Sequence, residues 1–342
     1  MHPEWYHGHG KRPPFFEGWY YKLVDASGKH RYAIIPGIFL SDDPEKHHAF
    51  VQVLDGVTGR ATYHRYPAQS FRAKRGDFDV HVGANRFTAE SIKLDIESSN
   101  QVLRGEVHFE ELTPWPVTLT SPGIMGWYSW VPFMECYHGV LSLDHKLRGR
   151  FTVDGQDIDW TGGRGYIEKD WGISFPSAWV WMQTNHFAQP GTSITASVAM
   201  IPWLFRSFRG MIVGLWHGGQ LYRFATYTGA RIEHLEITET LVDWIIHDQS
   251  HQLEIRATHV QAAPLRGPSR VDMGLRVPET LQAEIDVRLT RTKERRETVF
   301  EGQGRYGGLE VAGELDRLLS KDTEDRAFRH PIRPDGPPVE RC

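Results

Sequence analysis

The chain contains little cysteine. Only Cys136 and Cys342 occur in 342 residues, one in an apolar run and the other at the terminus. Small domains that depend on disulfides carry several paired cysteines at close spacing. The sequence therefore argues against a disulfide framework and favours a reducing compartment.

Long apolar runs are also missing. No uninterrupted apolar stretch approaches the ~20 residues that a membrane-spanning helix requires. The first ten residues, from Met1 to Gly10, do not show the basic and then apolar pattern of a secretory signal. We therefore expect a soluble cytoplasmic protein that makes at most peripheral contact with a membrane.

Neither sign of charge is in excess. The 39 basic and 43 acidic residues give a net charge of −4, and no long block of one sign interrupts the sequence. A protein that binds nucleic acid usually presents a basic field to the phosphate backbone. We therefore expect no nucleic-acid partner.

Helical periodicity is missing from most of the chain. Short segments with alternating apolar residues, separated by turn residues, run from Phe16 to about Phe109 and again from Ala178 to Phe300. This spacing is typical of antiparallel sandwiches and barrels. Leucines at helical spacing predict one short helix over Leu309–Ser320. The pattern as a whole predicts an all-β fold that ends in this helix.

The length of the chain predicts two domains. The segment Gly172–Pro176 interrupts the strand pattern and is a natural crossing between two halves. We predict an N-terminal β domain over residues 1–172 and a C-terminal β domain over residues 173–322. Charged residues and four prolines predict an extended tail over residues 323–342.

Aromatic residues are abundant, with 12 Trp, 12 Tyr and 17 Phe. Around residue 170 they lie beside ionisable groups. Alternation along a strand places Tyr166, Glu168 and Asp170 on one face and Lys169 on the other. The next predicted strand also places four side chains on one face, namely Trp179, Trp181, Gln183 and Asn185. Two carboxyls beside aromatic plates and neutral amides suit a lipophilic ligand with a polar head.

These segments resemble the tocopherol cyclase family. The resemblance rests on Phe15–Lys22, on His138–Gly139 and above all on Tyr166–Asn185, and it extends over nearly the whole chain. The family's run is approximately Y-x-E-K-N/D-W-G-x-x-F-P-x-x-W-x-W-x-Q-x-N, which this chain matches at twelve positions. The resemblance implies two lipocalin-like β units and closure of a chromanol ring by addition of a phenol across a prenyl double bond. The family is distantly similar to carotenoid hydratases.

Such a reaction needs a proton donor and a protected cation. Glu168 is predicted to be the general acid, kept protonated near neutrality by burial and by the neighbouring Asp170. Tyr166 is predicted to hydrogen-bond this carboxyl or the polar head of the ligand. The ring faces of Trp179 and Trp181 are predicted to stabilise the developing cation.

Other residues are predicted to bind the substrate. Gln183 and Asn185 offer neutral amides that orient a quinol hydroxyl. His138 is either a proton relay or a satisfied core histidine. Lys169, on the opposite face of its strand, is expected to be a structural ion-pair partner.

The first predicted strand adds three candidates for substrate binding. Glu17 shares a face with Trp19 and Tyr21, and an acid on an apolar face is either a ligand contact or a buried partner of Lys or Arg. Both interpretations stay open for Glu17.

No metal and no cofactor are predicted. The histidines near the N-terminus do not form a complete ligand set on a defined scaffold, and an intramolecular cyclisation consumes no redox equivalent. Two alternatives remain: a hydratase or cyclase of another terpenoid or carotenoid on the same scaffold, and a lipocalin-like carrier of a lipophilic ligand that performs no chemistry.

Overall fold

The computed structural model describes residues 2–119, 121–132, 134–203, 206–258, 261–293 and 296–320. It contains two antiparallel sheets of 12 and 11 strands and one short α-helix. The predicted all-β fold with two β units is confirmed. The predicted tail over residues 323–342 lies outside the described residues.

The first sheet is built by the N-terminal half of the chain. Its strands, in chain order, are β1 (Phe15–Val24), β2 (Arg31–Leu40), β3 (His48–Asp55), β4 (Ala61–Pro67), β5 (Phe71–Ala73), β6 (Asp79–Val82), β7 (Asn85–Thr88), β8 (Ser91–Glu97), β9 (Val102–Glu110), β10 (Cys136–Val153), β11 (Gln156–Asp159) and β12 (Arg164–Gly172).

The second sheet follows after a short connection. Its strands, followed by the helix, are β13 (Ala178–Thr184), β14 (His186–Phe187), β15 (Ser193–Trp203), β16 (Arg206–His217), β17 (Gln220–Ala225), β18 (Arg231–Ile237), β19 (Leu241–His247), β20 (His251–Thr258), β21 (Ala263–Gly267), β22 (Leu275–Arg291), β23 (Glu297–Gly313) and α1 (Leu315–Leu319). The change of sheet falls between Gly172 and Ala178, and the predicted domain boundary stays a prediction.

Both sheets follow the same path. In each, the first strand pairs with the last (β1 with β12, β13 with β23), and the two edge strands are consecutive in sequence (β4 and β5, β17 and β18). Each pair of edges is joined by a turn that contains a 3₁₀ helix, at Ala68–Ser70 and at Thr226–Thr228. A connection of so few residues can span only a short distance. Each sheet must therefore curl to bring its two edge strands near one another.

The curled sheets remain open. In the described part of the chain, no hydrogen-bonded ladder joins β4 to β5 or β17 to β18. The expectation of a β barrel is therefore corrected to two curled, open sheets. A turn holds each pair of edges near one another at one end without a continuous ladder.

Alternation along the central strands creates the three largest of the four hydrophobic cores in the described residues. On β1, Trp19 and Tyr21 pack inside the first unit, while Tyr20 points outward. On β13, Val180 and Met182 pack inside the second unit, while Trp181 points outward. The outward faces of the two units pack against each other and form a third core between them. Polar groups buried in that third core lie at the interface of both units.

The C-terminal helix is shorter than predicted. It spans only Leu315–Leu319, because the chain from Glu297 to Gly313 continues as β23. Leu309 and Val311 alternate into the core of the second unit, which satisfies their burial as strand residues. Of the helices in the described ranges, none combines the length and apolar character that a bilayer span requires.

Candidate active site

A cavity lies between the two units, within the third core. It has a volume of about 170 Å³ and is lined by side chains from both sheets, mostly apolar ones. Its polar lining includes one histidine and four acids, namely His138, Glu168, Asp170, Glu279 and Glu310. The cavity therefore combines apolar walls with a concentration of buried carboxyls.

Glu168 on β12 is fixed at the wall of this cavity. It is 5% exposed, and its Oε2 accepts a hydrogen bond from the Tyr166 hydroxyl at 2.5 Å and another from Trp181 Nε1 at 3.1 Å. Because both donors point at Oε2, an acid proton on this carboxyl belongs on Oε1. The predicted link between Tyr166 and Glu168 is present, whereas Trp181 serves as a hydrogen-bond donor as well as an aromatic plate.

Burial favours the protonated form of Glu168. Desolvation raises its pKa to about 7, against the positive charge of His138, which lowers it, while Asp170 raises it further. Near neutrality a substantial fraction of this carboxyl therefore holds a proton. This is the property that the sequence predicted for a general acid.

His138 lies between the two carboxyls of β12. Its Nδ1 is 2.9 Å from Asp170 Oδ1, and its Nε2 is 3.5 Å from Glu168 Oε2. Burial lowers the pKa of His138, but the charges of Glu168 and Asp170 outweigh that effect and raise it to about 9. The positive charge of His138 in turn lowers the pKa of Glu168, against the larger effect of burial. His138 is thus part of the ionisable group rather than an isolated core histidine.

The opposite wall holds two acids that the sequence analysis missed. Glu279 on β22 and Glu310 on β23 are partners in the register of these strands. The Tyr20 hydroxyl donates to Glu279 Oε1 at 2.5 Å, and Trp179 Nε1 donates to Glu310 Oε2 at 2.7 Å. Trp179 and Trp181 therefore each hold one carboxyl of the cavity through the indole N–H.

The two missed acids also favour the protonated form. Desolvation raises the pKa of Glu279 to about 8 and raises that of Glu310 well above its ordinary range. In each case the charge of Glu168 adds to the effect, because like charges in a dry site oppose further ionisation. The three glutamates titrate as one interacting set.

A signal for Glu279 was present in the sequence. Val277 and Leu281 flank Glu279 at alternate positions of β22, and both pack in the core between the two units. An acid on an otherwise apolar face is the same pattern that singled out Glu17. Glu310 was hidden because its segment was assigned to the predicted helix.

Gln183 and Asn185 lie outside the cavity. Gln183 Oε1 accepts a hydrogen bond from Lys22 Nζ at 2.8 Å, and Asn185 Nδ2 donates to Asp144 Oδ1 at 2.9 Å. Gln183 shares the face of Trp181 on β13, and Asn185 follows the end of that strand. Both amides tie the second unit to the first. Their predicted contact with a quinol hydroxyl therefore has no support in their position.

Glu17 belongs to a buried ion pair. Its carboxyl accepts hydrogen bonds from the ammonium of Lys169 and, at 2.8 Å, from the backbone N–H of His7. Lys169 Nζ also lies 4.6 Å from the ring centre of Trp19 and 4.9 Å from that of Trp171. Of the two interpretations left open for Glu17, the geometry matches the buried pair, and Lys169 is the structural partner that was expected.

Trp19 and Tyr21 also face away from the cavity. Both are fully buried in the core of the first unit, because alternation along β1 sends them to the side opposite Tyr20. The predicted strand face was real, but it is the inner face of the unit. We therefore leave Glu17, Trp19 and Tyr21 out of the candidate site and include Tyr20.

A single group in the described ranges is compact enough to hold a metal ion. The ligand atoms of His138, Glu168 and Asp170 lie within 4.8 Å of one another. These atoms already face each other as an imidazole between two carboxyls, and Glu168 Oε2 also accepts two hydrogen bonds. The three side chains therefore already serve as partners for one another. The predicted absence of a metal stays a prediction.

The predicted loop over Leu112–Pro132 covers one side of the cavity. It includes a 3₁₀ helix over Gly126–Trp130, and Met125 and Tyr128 line the cavity directly. Tyr227 of the second unit donates to the carbonyl oxygen of Ile124 at 2.6 Å. The loop is thus attached to the second unit and contributes an apolar wall.

The fold and the cavity define an all-β protein of two units with buried acids at their interface. A family model described as tocopherol cyclase-like matches residues 93–313. The chain belongs to this tocopherol cyclase-like family, as the sequence resemblance predicted.

Two plant proteins are among the relatives. "Tocopherol cyclase, chloroplastic" from Zea mays is 26% identical over 211 residues, which cover 55% of this chain and 41% of the maize protein. "Probable tocopherol cyclase, chloroplastic" from Oryza sativa subsp. japonica is 25% identical over 235 residues, which cover 62% of this chain and 47% of the rice protein. The matched region thus spans less than half the length of these curated relatives.

Solved structures share the fold. CghA with Sch210972 superposes with a TM-score of 0.53 at 12% identity, covering 88% of this chain and 89% of that protein. Kievitone hydratase from Nectria haematococca gives a TM-score of 0.52 at 14% identity, covering 87% and 89%. At these identities the likeness shows the common architecture alone.

Proposed function

We propose that the protein is a cyclase that closes a chromanol ring on a prenylated hydroquinone. The observation that carries the proposal is Glu168, a buried carboxyl that holds its proton near neutrality in an apolar cavity. The maize relative is named a tocopherol cyclase, which supports this substrate class. The proposed partner is therefore a lipophilic small molecule, and the reaction is an isomerisation that consumes no redox equivalent.

The proposed reaction begins with proton transfer from Glu168 to the prenyl double bond. This forms a C–H bond and leaves a tertiary cation, and the phenol oxygen then forms the C–O bond that closes the ring. The indole faces of Trp179 and Trp181, both lining the cavity, would stabilise the cation by roughly 0.5–2 kcal/mol each. A positioned acid of this kind contributes about 10²–10⁴-fold to the rate.

The neighbours of Glu168 stabilise the carboxylate that remains after the transfer. Tyr166 and Trp181 keep donating to Oε2, and the imidazolium of His138 lies 3.5 Å from the same oxygen. These interactions strengthen as negative charge develops, which is what electrostatic stabilisation of a transition state requires. Asp170 keeps His138 protonated and so acts as a positioning residue.

The size of the cavity suits the aromatic head of the ligand. A cavity of about 150 Å³ can hold benzene, and this one measures about 170 Å³. A hydroquinone ring would fill most of that volume, so the prenyl chain beyond the reacting double bond would extend along the apolar walls.

The experiment that tests this function is incubation in heavy water with a methylated hydroquinone that carries a prenyl chain beside one hydroxyl. Cyclisation would give a chiral product of the same formula, with one deuterium on the ring carbon next to the new C–O carbon. Chiral chromatography and mass spectrometry read both features. A product heavier by one water would identify a hydratase, and unchanged ligand after prolonged incubation would identify a carrier.

We expect the rate of ring closure to fall on the alkaline side of the pH profile. Glu168 must be protonated to act, and burial raises its pKa to about 7, so its acid form is progressively lost above that pH. Well above the pKa the rate should drop about tenfold per pH unit. Initial rates from pH 5 to 9 check this, and a rate that rises across the whole range would contradict the acid role.

Trp181→Phe is expected to slow ring closure about tenfold and to shift the pH profile upward. The variant keeps an aromatic ring but removes the N–H donor to Glu168 Oε2, and a hydrogen bond to a charged group contributes roughly 1.5–3 kcal/mol. Because that donor lowers the pKa of Glu168, its loss should raise the pKa. Trp244→Phe, at a fully buried tryptophan in the core of the second unit, is the control and should leave the profile unchanged.

A further inference from the structure

The proposed protonation leaves the opposite wall of the cavity without a role. Glu279 and Glu310 lie there as direct register partners on β22 and β23, and directly opposed residues have Cβ atoms ~4.5–5.5 Å apart. Both side chains line the cavity. Two carboxyls are thus held side by side in an apolar chamber, facing the ligand volume.

One oxygen of this pair accepts from no N–H group and from no hydroxyl of the described residues. Glu279 Oε1 accepts from Tyr20, whereas Glu279 Oε2 is buried without such a donor, and the neighbouring Glu310 carboxyl is a hydrogen-bond partner of Glu279. Glu279 is only 1% exposed. A buried acceptor without a full donor is costly, so its presence in a cavity wall points to a donor that the ligand supplies.

Glu279 also has groups around it that make an ionised form attainable. Burial and the charge of Glu168 raise the pKa of Glu279 to about 8, while the hydrogen bond from Tyr20, the positive charge of Lys22 and the hydrogen bond with Glu310 lower it. Near neutrality the ionised form of Glu279 is therefore the minor form, and the base step draws on that form. Within a pair of adjacent carboxyls, one can hold a proton while the other carries the charge.

The proposed ring closure requires a proton acceptor as well as a donor. Glu168 gives a proton to carbon, and the phenol O–H must lose its own proton when the oxygen bonds to the cation. We propose that Glu279 is a second catalytic residue, the base that takes this proton on Oε2, with Glu310 as the carboxyl beside it. This inference rests on the proposed function and adds the step that completes its proton balance.

The balance closes without any co-reactant. The double bond and the O–H bond break, a C–H bond and a C–O bond form, and the substrate leaves as an isomer. Glu168 has lost one proton and Glu279 has gained one, so exchange with water restores both groups. Tyr20 is the register partner of Glu168 on the neighbouring strand and donates to Glu279, which places the acid and the base about one tyrosine side chain apart.

The other carboxyls each have one oxygen engaged. Asp170 Oδ1 faces the imidazole of His138 at 2.9 Å, and Glu310 Oε2 accepts from Trp179. Glu168 itself must begin the reaction protonated. Among the carboxylate oxygens that line the cavity in the described ranges, Glu279 Oε2 is the one that is buried without a donor, and for this reason we assign the phenol proton to it.

The test separates protonation from ring closure with two probes. The first is the methylated prenyl hydroquinone described above, and the second is the same molecule with the hydroxyl beside the prenyl chain converted to a methyl ether. The ether has no proton to release and cannot close the ring. Glu168 can still protonate its double bond reversibly, so in heavy water the ether should exchange deuterium into the alkene.

We expect Glu279→Gln to reduce ring closure of the free hydroquinone about 10²-fold and to leave exchange into the ether close to the wild-type rate. Glu168→Gln should lose both activities. Glu284→Gln, at an exposed position on the same strand β22, is the matched control and should retain both.

Each other outcome overturns a defined statement. Wild-type ring closure by Glu279→Gln, or an equal loss of both activities, would overturn the base role of Glu279 while leaving Glu168 as the acid. Wild-type protein that neither cyclises nor exchanges would overturn the proposed function itself. If thermal melts show that Glu279→Gln is unfolded, Glu279→Asp replaces it, and ring closure should fall while exchange persists. Wild-type ring closure by a folded Glu279→Asp variant would overturn the base role.

Discussion

Glu168→Gln is expected to reduce the rate of ring closure by 10²–10⁴-fold, the range that a positioned general acid contributes. The amide has nearly the same shape and can still accept from Tyr166 and Trp181, which donate to Oε2. It has no acidic proton to deliver to the double bond. Deuterium incorporation into the product, followed by mass spectrometry, measures the loss.

Binding should survive this substitution. Trp179 and Trp181 line the cavity, so quenching of tryptophan fluorescence by the hydroquinone should remain close to that of the wild type. The matched control is Glu301→Gln, at an exposed glutamate of β23 that pairs with Arg288, and it should cyclise normally. Full activity of Glu168→Gln would remove Glu168 from the acid role, and loss of binding would indicate a structural role instead.

Lys169→Met is expected to reduce the free energy of unfolding by ~3–5 kcal/mol, the usual cost of removing one partner of a buried ion pair. The Lys169 and Glu17 side chains are both fully buried. Without the ammonium, Glu17 would remain as an uncompensated buried charge or would have to take up a proton. The cation contacts with the rings of Trp19 and Trp171 would be lost as well.

Denaturant unfolding at neutral pH measures this effect. Lys146→Met is the control, because Lys146 pairs with Glu111 at the surface with both side chains more than half exposed, and such pairs contribute about 0–1 kcal/mol. The double variant Glu17→Gln, Lys169→Met should recover much of the lost stability, since it leaves no unpaired charge. Equal destabilisation by Lys169→Met and Lys146→Met would contradict the assigned importance of the buried pair.

Local alternation made part of the site predictable. The face that Glu168 and Asp170 share, and the face that Trp179 and Trp181 share, follow from the period of two along a strand. The structure places all four side chains at the same cavity. Strand period is a property of a few neighbouring residues, which is why sequence alone was sufficient here.

The extent of the cavity was not predictable from that period. Gln183 lies on the face of Trp181, but two residues along a strand span ~7 Å, and at that distance the neighbour is Lys22 rather than the ligand volume. Glu17 shows a related problem: the sequence did not reveal which face of β1 points into the unit and which points to the interface between the units. Both faces of β1 are largely buried, so burial alone did not distinguish the inside of the unit from the interface.

The second carboxyl pair depended on tertiary register. Glu279 and Glu310 are 31 positions apart in sequence and meet only because β22 and β23 pair in one alignment. Leucines at helical spacing also suggested a helix where β23 continues. Because the sequence did not predict that β23 extends over this segment, it could not predict that Glu310 points towards the interface between the units.

The shared path of the two sheets has a consequence for the chemistry. Neither curled unit encloses the acids, since these lie on outer surfaces that only mutual docking shields from solvent. The proton affinity of Glu168 thus depends on the contact between the two units of the chain, much as a site between two subunits depends on their association. A substitution that loosened their docking would hydrate the chamber and turn a poised acid into an ordinary surface carboxylate, even if every residue around the ligand were intact.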